Sequence, residues 1–214
     1  TLGELLLLAN DVLGIHARLT VIPAAGWHRG MYFDATGLRW VKPSPSMPDL
    51  ESALHYPGTC LFEGTNLSVG RGTRFPFQVV GATWVTPAAV IRWIRDGGPG
   101  TRDGLLGVEL VADTVTPQAP SDGKDDGVRI NVIRLRVTDR RRYDPTHTAV
   151  ALLAALRAVH PDSFKFVAER FDLLAAGPEL RRAILVGRAP AAIWRGWEAG
   201  LERFRNGRRR YLVY

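Results

Sequence analysis

The chain has 214 residues, enough for one large or two small domains, and its balance of 46% hydrophobic to 23% charged residues is that of an ordinary globular protein. A single cysteine, Cys60, excludes an intrachain disulfide and a cysteine-based metal site, and His16, His28, His55, His147 and His160 show no metal-ligand spacing. The formal charge of +7 rests on 25 Arg and only 3 Lys, dispersed except at Arg140–Arg142 and in the last twenty residues, and no zinc-finger or RNP signature points to nucleic acid.

Leu2–Leu13 reads as a helix ending near Gly14; Glu4 and Asp11 interrupt it, so it is no membrane span, and it lacks the basic start of a signal peptide. The opening residue is Thr1, which suggests a piece of a longer or processed protein. "RLTVIP" (18–23) reads as a short strand, and the aromatic, turn-rich stretch 26–48 as extended chain over a surface. A short helix is expected over 48–56, a turn at "YPG", a buried strand at "CLFE" (60–63) and another at "FPFQVVGA" (75–82).

Thr86-Pro87 is a helix start, with Val90, Ile91 and Ile94 on one face and Gly97-Gly98 as the stop. "GVELVAD" (107–113) is a strand and 117–127 a polar, mobile loop. In "VRINVIRLRV" (128–137) the alternation slips by one residue between Val132 and Ile133, which predicts a β-bulge. A strong helix covers 146–161; Gly177-Pro178 opens another; Pro190 starts the last, where Ile193, Trp194, Trp197, Leu201 and Phe204 share a face expected to be buried. The closing "YLVY" is apolar enough to dock. Strands and helices mix without a regular βαβ repeat. The fold class expected is α+β, or an α/β remnant joined to an α+β lobe, with a mixed sheet and flanking helices.

The chemistry concentrates in "CLFEGTNLSVGRGT" (60–73). The glycine spacing does not fit a phosphate loop, and no serine-hydrolase elbow is present. Glu63 follows three apolar residues, so partial desolvation would raise its pKa and suit it to proton transfer. Thr65, Asn66 and Ser68 can bond hydroxyl or acetamido groups, and Arg71 can hold a carboxylate bidentately. On residue types alone a second reading stands beside this: Glu63 pairs with Arg71 and merely locks the loop. On the first reading the loop 64–73 should line a concave surface.

The segment 56–85, "YPGTCLFEGTNLSVGRGTRFPFQVVGATWV", resembles the hallmark of the bacterial exo-β-N-acetylmuramidase family (NamZ-like, formerly a domain of unknown function). Segments 26–54 and 136–156 and the closing "YLVY" are similar too, so the resemblance covers almost the whole chain. It departs at Val69 and at Arg74–Gln78. The resemblance implies a glycoside hydrolase that releases terminal β-linked N-acetylmuramic acid from peptidoglycan fragments. It also implies that this chain is the C-terminal part of a two-lobe enzyme, residues 1–30 ending a preceding Rossmann-like lobe and 31–214 forming the C-terminal α+β domain.

On that basis Glu63 is the catalytic candidate. Thr65, Asn66, Ser68 and Arg71 bind substrate, Arg71 taking the lactyl carboxylate. Asp34 is a weak second carboxylate that otherwise caps its turn. No metal or organic cofactor is implied. The partners are a muramoyl saccharide and the missing lobe, with no nucleic acid and no membrane span, and the setting is bacterial and extracytoplasmic. The alternative is a non-catalytic module that binds anionic cell-wall glycan or is purely structural.

Overall fold

A computed structural model describes residues 1–97 and 100–214. The chain divides into two compact units, one of Thr1–Arg39 with Gly196–Tyr214 and one of Trp40–Arg195. The fold is α+β, as the mixed pattern of elements suggested. Among the described residues the sheet, expected to be mixed, is antiparallel throughout, with three strands in the order β1-β3-β2: Val79–Ala82 (β1), Val108–Val115 (β2) and Ile130–Val137 (β3).

The central strand β3 corrects the bulge expected between Val132 and Ile133. Its ladder with β2 runs without a skip from Val108↔Val137 to Val115↔Ile130, and Val132 and Ile133 are both fully buried. The apolar parity changes because β3 is covered on both faces, each over a different stretch. Ile130 and Val132 meet Val79, Phe75 and Val115 on one face. On the other, Ile133 and Leu135 sit in register with Val80 and Leu110, against the helix Pro87–Asp96 (α3). A slip of the pattern thus marks a change of cover, not of register. The residue Gly98, part of the expected stop for α3, lies outside the described residues.

The central helix of the larger unit is Pro145–Val159 (α4), started by Asp144, whose Oδ1 accepts from the Thr146 and His147 amides. It packs on α3 and on Leu50–Thr59 (α2). The "YPG" turn is not a turn: Pro57 and Gly58 lie inside α2. Gly58 is needed for close approach, since a Cβ there would stand 1.9 Å from the Pro145 carbonyl oxygen at the head of α4. The short helices Ala168–Leu174 (α5), which the sequence pattern did not disclose, and Glu179–Leu185 (α6) follow, then Pro190–Arg208 (α7). In α7 Ile193 and Trp194 are buried, but Trp197 is half-buried and Leu201 and Phe204 are exposed, so the expected apolar face is covered only at its start. Trp194 stacks on His147 with ring centroids 4.5 Å apart. Trp194→Ala should destabilise the larger unit by about 3–5 kcal/mol in urea titrations.

The smaller unit holds Leu2–Val12 (α1) and the C-terminal tail. No strand forms over 18–23, because its own unit offers no neighbour with which to pair. The tail does dock: Tyr214 sets its ring edge-on to Trp27 and its hydroxyl accepts from the Ala24 amide at 2.6 Å. Glu4 ties this unit together. Its Oε1 accepts from Arg29 Nη2 at 2.6 Å and from the Val213 amide at 2.8 Å. The Arg29 guanidinium first, then the Thr1 ammonium and the Val213 amide, hold the Glu4 carboxyl well below the usual carboxylate range. A folded-state pKa lowered in this way gives a stabilisation that is full above the unfolded value of about 4.3, declines below it, and is lost once pH falls through the lowered folded-state value. Acidification should therefore release the Trp27–Tyr214 contact only well below about pH 4, as pH falls through the lowered Glu4 value, read by fluorescence against a Trp27→Phe control, and Glu4→Gln should release it at neutral pH.

Candidate active site

The "CLFE" run is not a strand. Cys60–Gly64 is a 3₁₀ turn that continues α2, with Leu61 and Phe62 facing the core and Glu63 left at its rim. A three-residue apolar run has no periodicity to separate the two readings. The following loop is then tied to two distant segments. The Asn66 amide donates to the Lys165 carbonyl, the Val167 amide donates to the Gly64 carbonyl, and Ser68 exchanges backbone bonds with Gly81 of β1. Gly64 permits one of these close approaches: a Cβ there would lie 2.5 Å from Phe171 Cα in α5.

That approach builds a constellation of charge around Glu63. The Glu63 side chain is 12% exposed. Its Oε1 accepts from Arg71 Nε at 2.8 Å and from Arg71 Nη2. Its Oε2 faces Arg170 of α5, whose Nη2 stands at 3.6 Å, too far for a hydrogen bond. One carboxylate oxygen is thus fixed and the other is left for a further partner. Arg71 Nη1 also donates to Ser46 Oγ at 2.9 Å and to Ser121 Oγ at 3.2 Å, and the guanidinium lies over the Phe77 ring. Phe77 has φ +62°, a strained conformation for a bulky residue that places its ring there.

Two basic residues escaped the sequence reading. Arg170 lies in an unremarkable stretch, and nothing local links it to Glu63. Lys124 lies in the segment expected to be a mobile loop. Instead its Nζ donates to the carbonyls of Thr65 and Leu67 at 2.9 Å each, and to that of Glu63 at 3.4 Å. Burial draws the Lys124 amine below the usual lysine range. The segment is pinned further where the Gln118 amide donates to the Gly72 carbonyl. Burial also pushes the Cys60 thiol up, with the neighbouring Glu63 charge adding to it.

The residues expected to bind substrate separate into two groups. Glu63 and Arg71 are brought into direct contact, as the loop-locking reading required. The others serve the loop. Thr65 is fully buried, its hydroxyl donating to the Phe62 carbonyl and accepting from the Leu67 amide. Ser68 is 1% exposed and its Oγ accepts from the Gly70 amide. Asn66 is exposed, but its side chain is bound at both ends, to the Ser163 carbonyl and the Lys165 amide. These groups are committed because a loop that leaves regular structure must satisfy its own backbone. Asp34 belongs to the other compact unit, in the 3₁₀ turn Phe33–Thr36. A depression of about 350 Å³ is lined by Gly72, Thr73, Arg74 and Phe75 with residues 113–116; it borders the end of the loop and includes neither Glu63 nor Arg71. The apolar cavity of about 520 Å³ beside Trp93, Ile184 and Pro190 shares no residue with the Glu63 constellation. Among the described residues no group of three or more His, Cys, Asp and Glu is placed to hold a metal ion, and no helix is long and apolar enough to cross a membrane.

The fold is that of two solved DUF1343 family proteins from Bacteroides fragilis. One is 23% identical with a TM-score of 0.84 over 99% of this chain and 55% of its own. The other is 25% identical with a TM-score of 0.66 over all of this chain and 55% of its own. Residues 54–214 match the family model "Exo-beta-N-acetylmuramidase NamZ, C-terminal", and residues 1–51 match its N-terminal counterpart. The chain belongs to the exo-β-N-acetylmuramidase NamZ family. Its similarity to the peptidoglycan β-N-acetylmuramidase NamZ of Bacillus subtilis (strain 168) is 35% identity over the whole chain. The chain spans about half the length of that relative.

Proposed function

We propose that this chain is the C-terminal part of an exo-acting glycoside hydrolase that releases terminal β-linked N-acetylmuramic acid from peptidoglycan fragments. Family membership over residues 54–214 supports the reaction class. The observation that carries the reading to a residue is the Glu63 carboxylate, clamped through Oε1 by Arg71 and open at Oε2. Glycoside hydrolysis uses two carboxylic groups, one to protonate the leaving oxygen and one to activate water or attack the sugar. A carboxylate held on one oxygen keeps its orientation while the other oxygen exchanges a proton or meets the substrate. Glu63 takes one of these roles. The second carboxylic group comes from a preceding Rossmann-like lobe.

The N-terminal residues support such a lobe. Residues 1–51 match the N-terminal family model, and Leu2, Leu5, Leu6 and Leu13 are exposed around α1. Exposed leucines gathered on one helix mark a surface that is covered in the complete protein. We read residues 1–30 as the end of that lobe and 31–214 as the C-terminal domain. In this reading Thr65, Asn66 and Ser68 shape the loop that bears the substrate contacts, and the enzyme works outside the cytoplasm, where peptidoglycan lies.

A second reading has an observation of its own: the Glu63–Arg71 pair already locks the loop, as a non-catalytic glycan-binding lobe would need. Hydrolysis of a chromogenic N-acetylmuramide by this chain and by its longer parent decides between them. Turnover by the parent is the expected result. A parent that binds the muramide without hydrolysing it establishes the binding module instead.

A further inference from the structure

We infer that Arg170, not Arg71, is the residue that selects for the acidic sugar, by pairing with the lactyl carboxylate of the muramoyl unit. This rests on the glycosidase reading above and adds to it the group that tells N-acetylmuramic acid from its neutral counterpart N-acetylglucosamine.

The argument is a count of donors. A guanidinium has five N–H groups. In Arg71 four hydrogen bonds are already made, two to Glu63 Oε1 and one each to Ser46 and Ser121. Its face is covered as well, by Phe77. Arg71 is therefore the clamp of the carboxylate and has little left for a ligand. Arg170 is the reverse case. Its side chain is 51% exposed, and its ion pair with Glu63 Oε2, at 3.6 Å, is longer than a hydrogen bond. Its donors are free to form the bidentate, charge-assisted pair for which a guanidinium is suited.

Position adds to availability. Arg170 is anchored by α5, which packs directly on the loop: Phe171 is fully buried, and the α5 backbone leaves no room for a Cβ on Gly64. The guanidinium is thus held beside the open oxygen of Glu63. A sugar whose lactyl carboxylate pairs with Arg170 brings its ring to that oxygen. Such an anion also draws the Arg170 charge away from the open Oε2. A neutral sugar leaves Arg170 on Glu63 and loses both effects.

The test uses the complete enzyme and two chromogenic substrates, the N-acetylmuramide and the matching N-acetylglucosaminide. Arg170→Ala should lower the ratio of kcat/KM between them by about 10- to 100-fold, the range for losing hydrogen bonds to a charged group. Arg170→Lys, which keeps charge but loses the fork, should restore only part of it. The melting temperature should hold, since Arg170 makes no short contact. Equal loss on both substrates, or an unchanged ratio, overturns the assignment. If the wild type hydrolyses neither substrate, the glycosidase reading fails separately, and calorimetry with free N-acetylmuramic acid then decides. Binding by the wild type that is lost in Arg170→Ala upholds Arg170 as the anion site; equal binding by both, or by neither, overturns it.

Discussion

Glu63→Gln in the complete enzyme should reduce turnover by ~10²–10⁴-fold, the usual cost of losing a general acid–base group. The amide keeps the shape of the side chain. Its oxygen can still accept from Arg71 Nε and Nη2, so the clamp on Oε1 survives in form. The other end of the amide cannot exchange a proton with a sugar, and it meets Arg170 with donors instead of an acceptor. Stability should fall by no more than about 1–3 kcal/mol, the worth of charge-assisted hydrogen bonds in a partly buried pair. Melting temperature and turnover should be measured on the same preparation. A mutant that is destabilised yet still turns over would confine Glu63 to locking the loop and leave the catalytic carboxylate elsewhere.

Arg71→Ala should cost more in stability than any change to Glu63, about 3–5 kcal/mol. Removing the guanidinium leaves the Glu63 carboxylate, 12% exposed, without its hydrogen-bonded partner. It also cuts the links from Arg71 to Ser46 and Ser121, and with them two of the ties that hold segments 40–48 and 117–127 to the loop. An uncompensated charge is the larger part of this loss, so the double variant Glu63→Gln, Arg71→Ala should be less destabilised than the sum of the two singles. Additive losses in urea titrations would mean that the pair is not coupled, against the geometry. In the complete enzyme Arg71→Ala should also lower kcat, because a carboxylate that is no longer held on one oxygen no longer presents the other.

Much of this protein was legible along the chain wherever local rules and tertiary packing agree. α1, α3, α4 and α7 begin at capping residues or prolines that the sequence displays, and their apolar stripes announce them. The family string from Glu63 to Thr73 marked the loop, and the match of charge between Glu63 and Arg71 foretold their pairing.

The misreadings share one cause, which is that they turn on what lies on the far side of a residue. "CLFE" became a 3₁₀ turn because its apolar residues face a core that helices complete. The phase slip in β3 arose because Phe75 and β1 cover one face over one stretch while α3 covers the other. Trp197, Leu201 and Phe204 match the helical period of Trp194 but not its burial, since period gives a face and never says whether anything covers it.

The same limit governs the site. Which hydroxyls are free is decided by backbone bonds that the loop makes with itself, and this is why Thr65 and Ser68 are internal. Arg170 reaches Glu63 only because Gly64 lets α5 close on the loop. Thus the sequence by itself determined most of the longer helices, the family and the candidate loop, because these depend on spacing and residue type along one segment. Only the tertiary structure decided which charge is held and which is offered, because that depends on segments far apart in the chain meeting at one carboxylate.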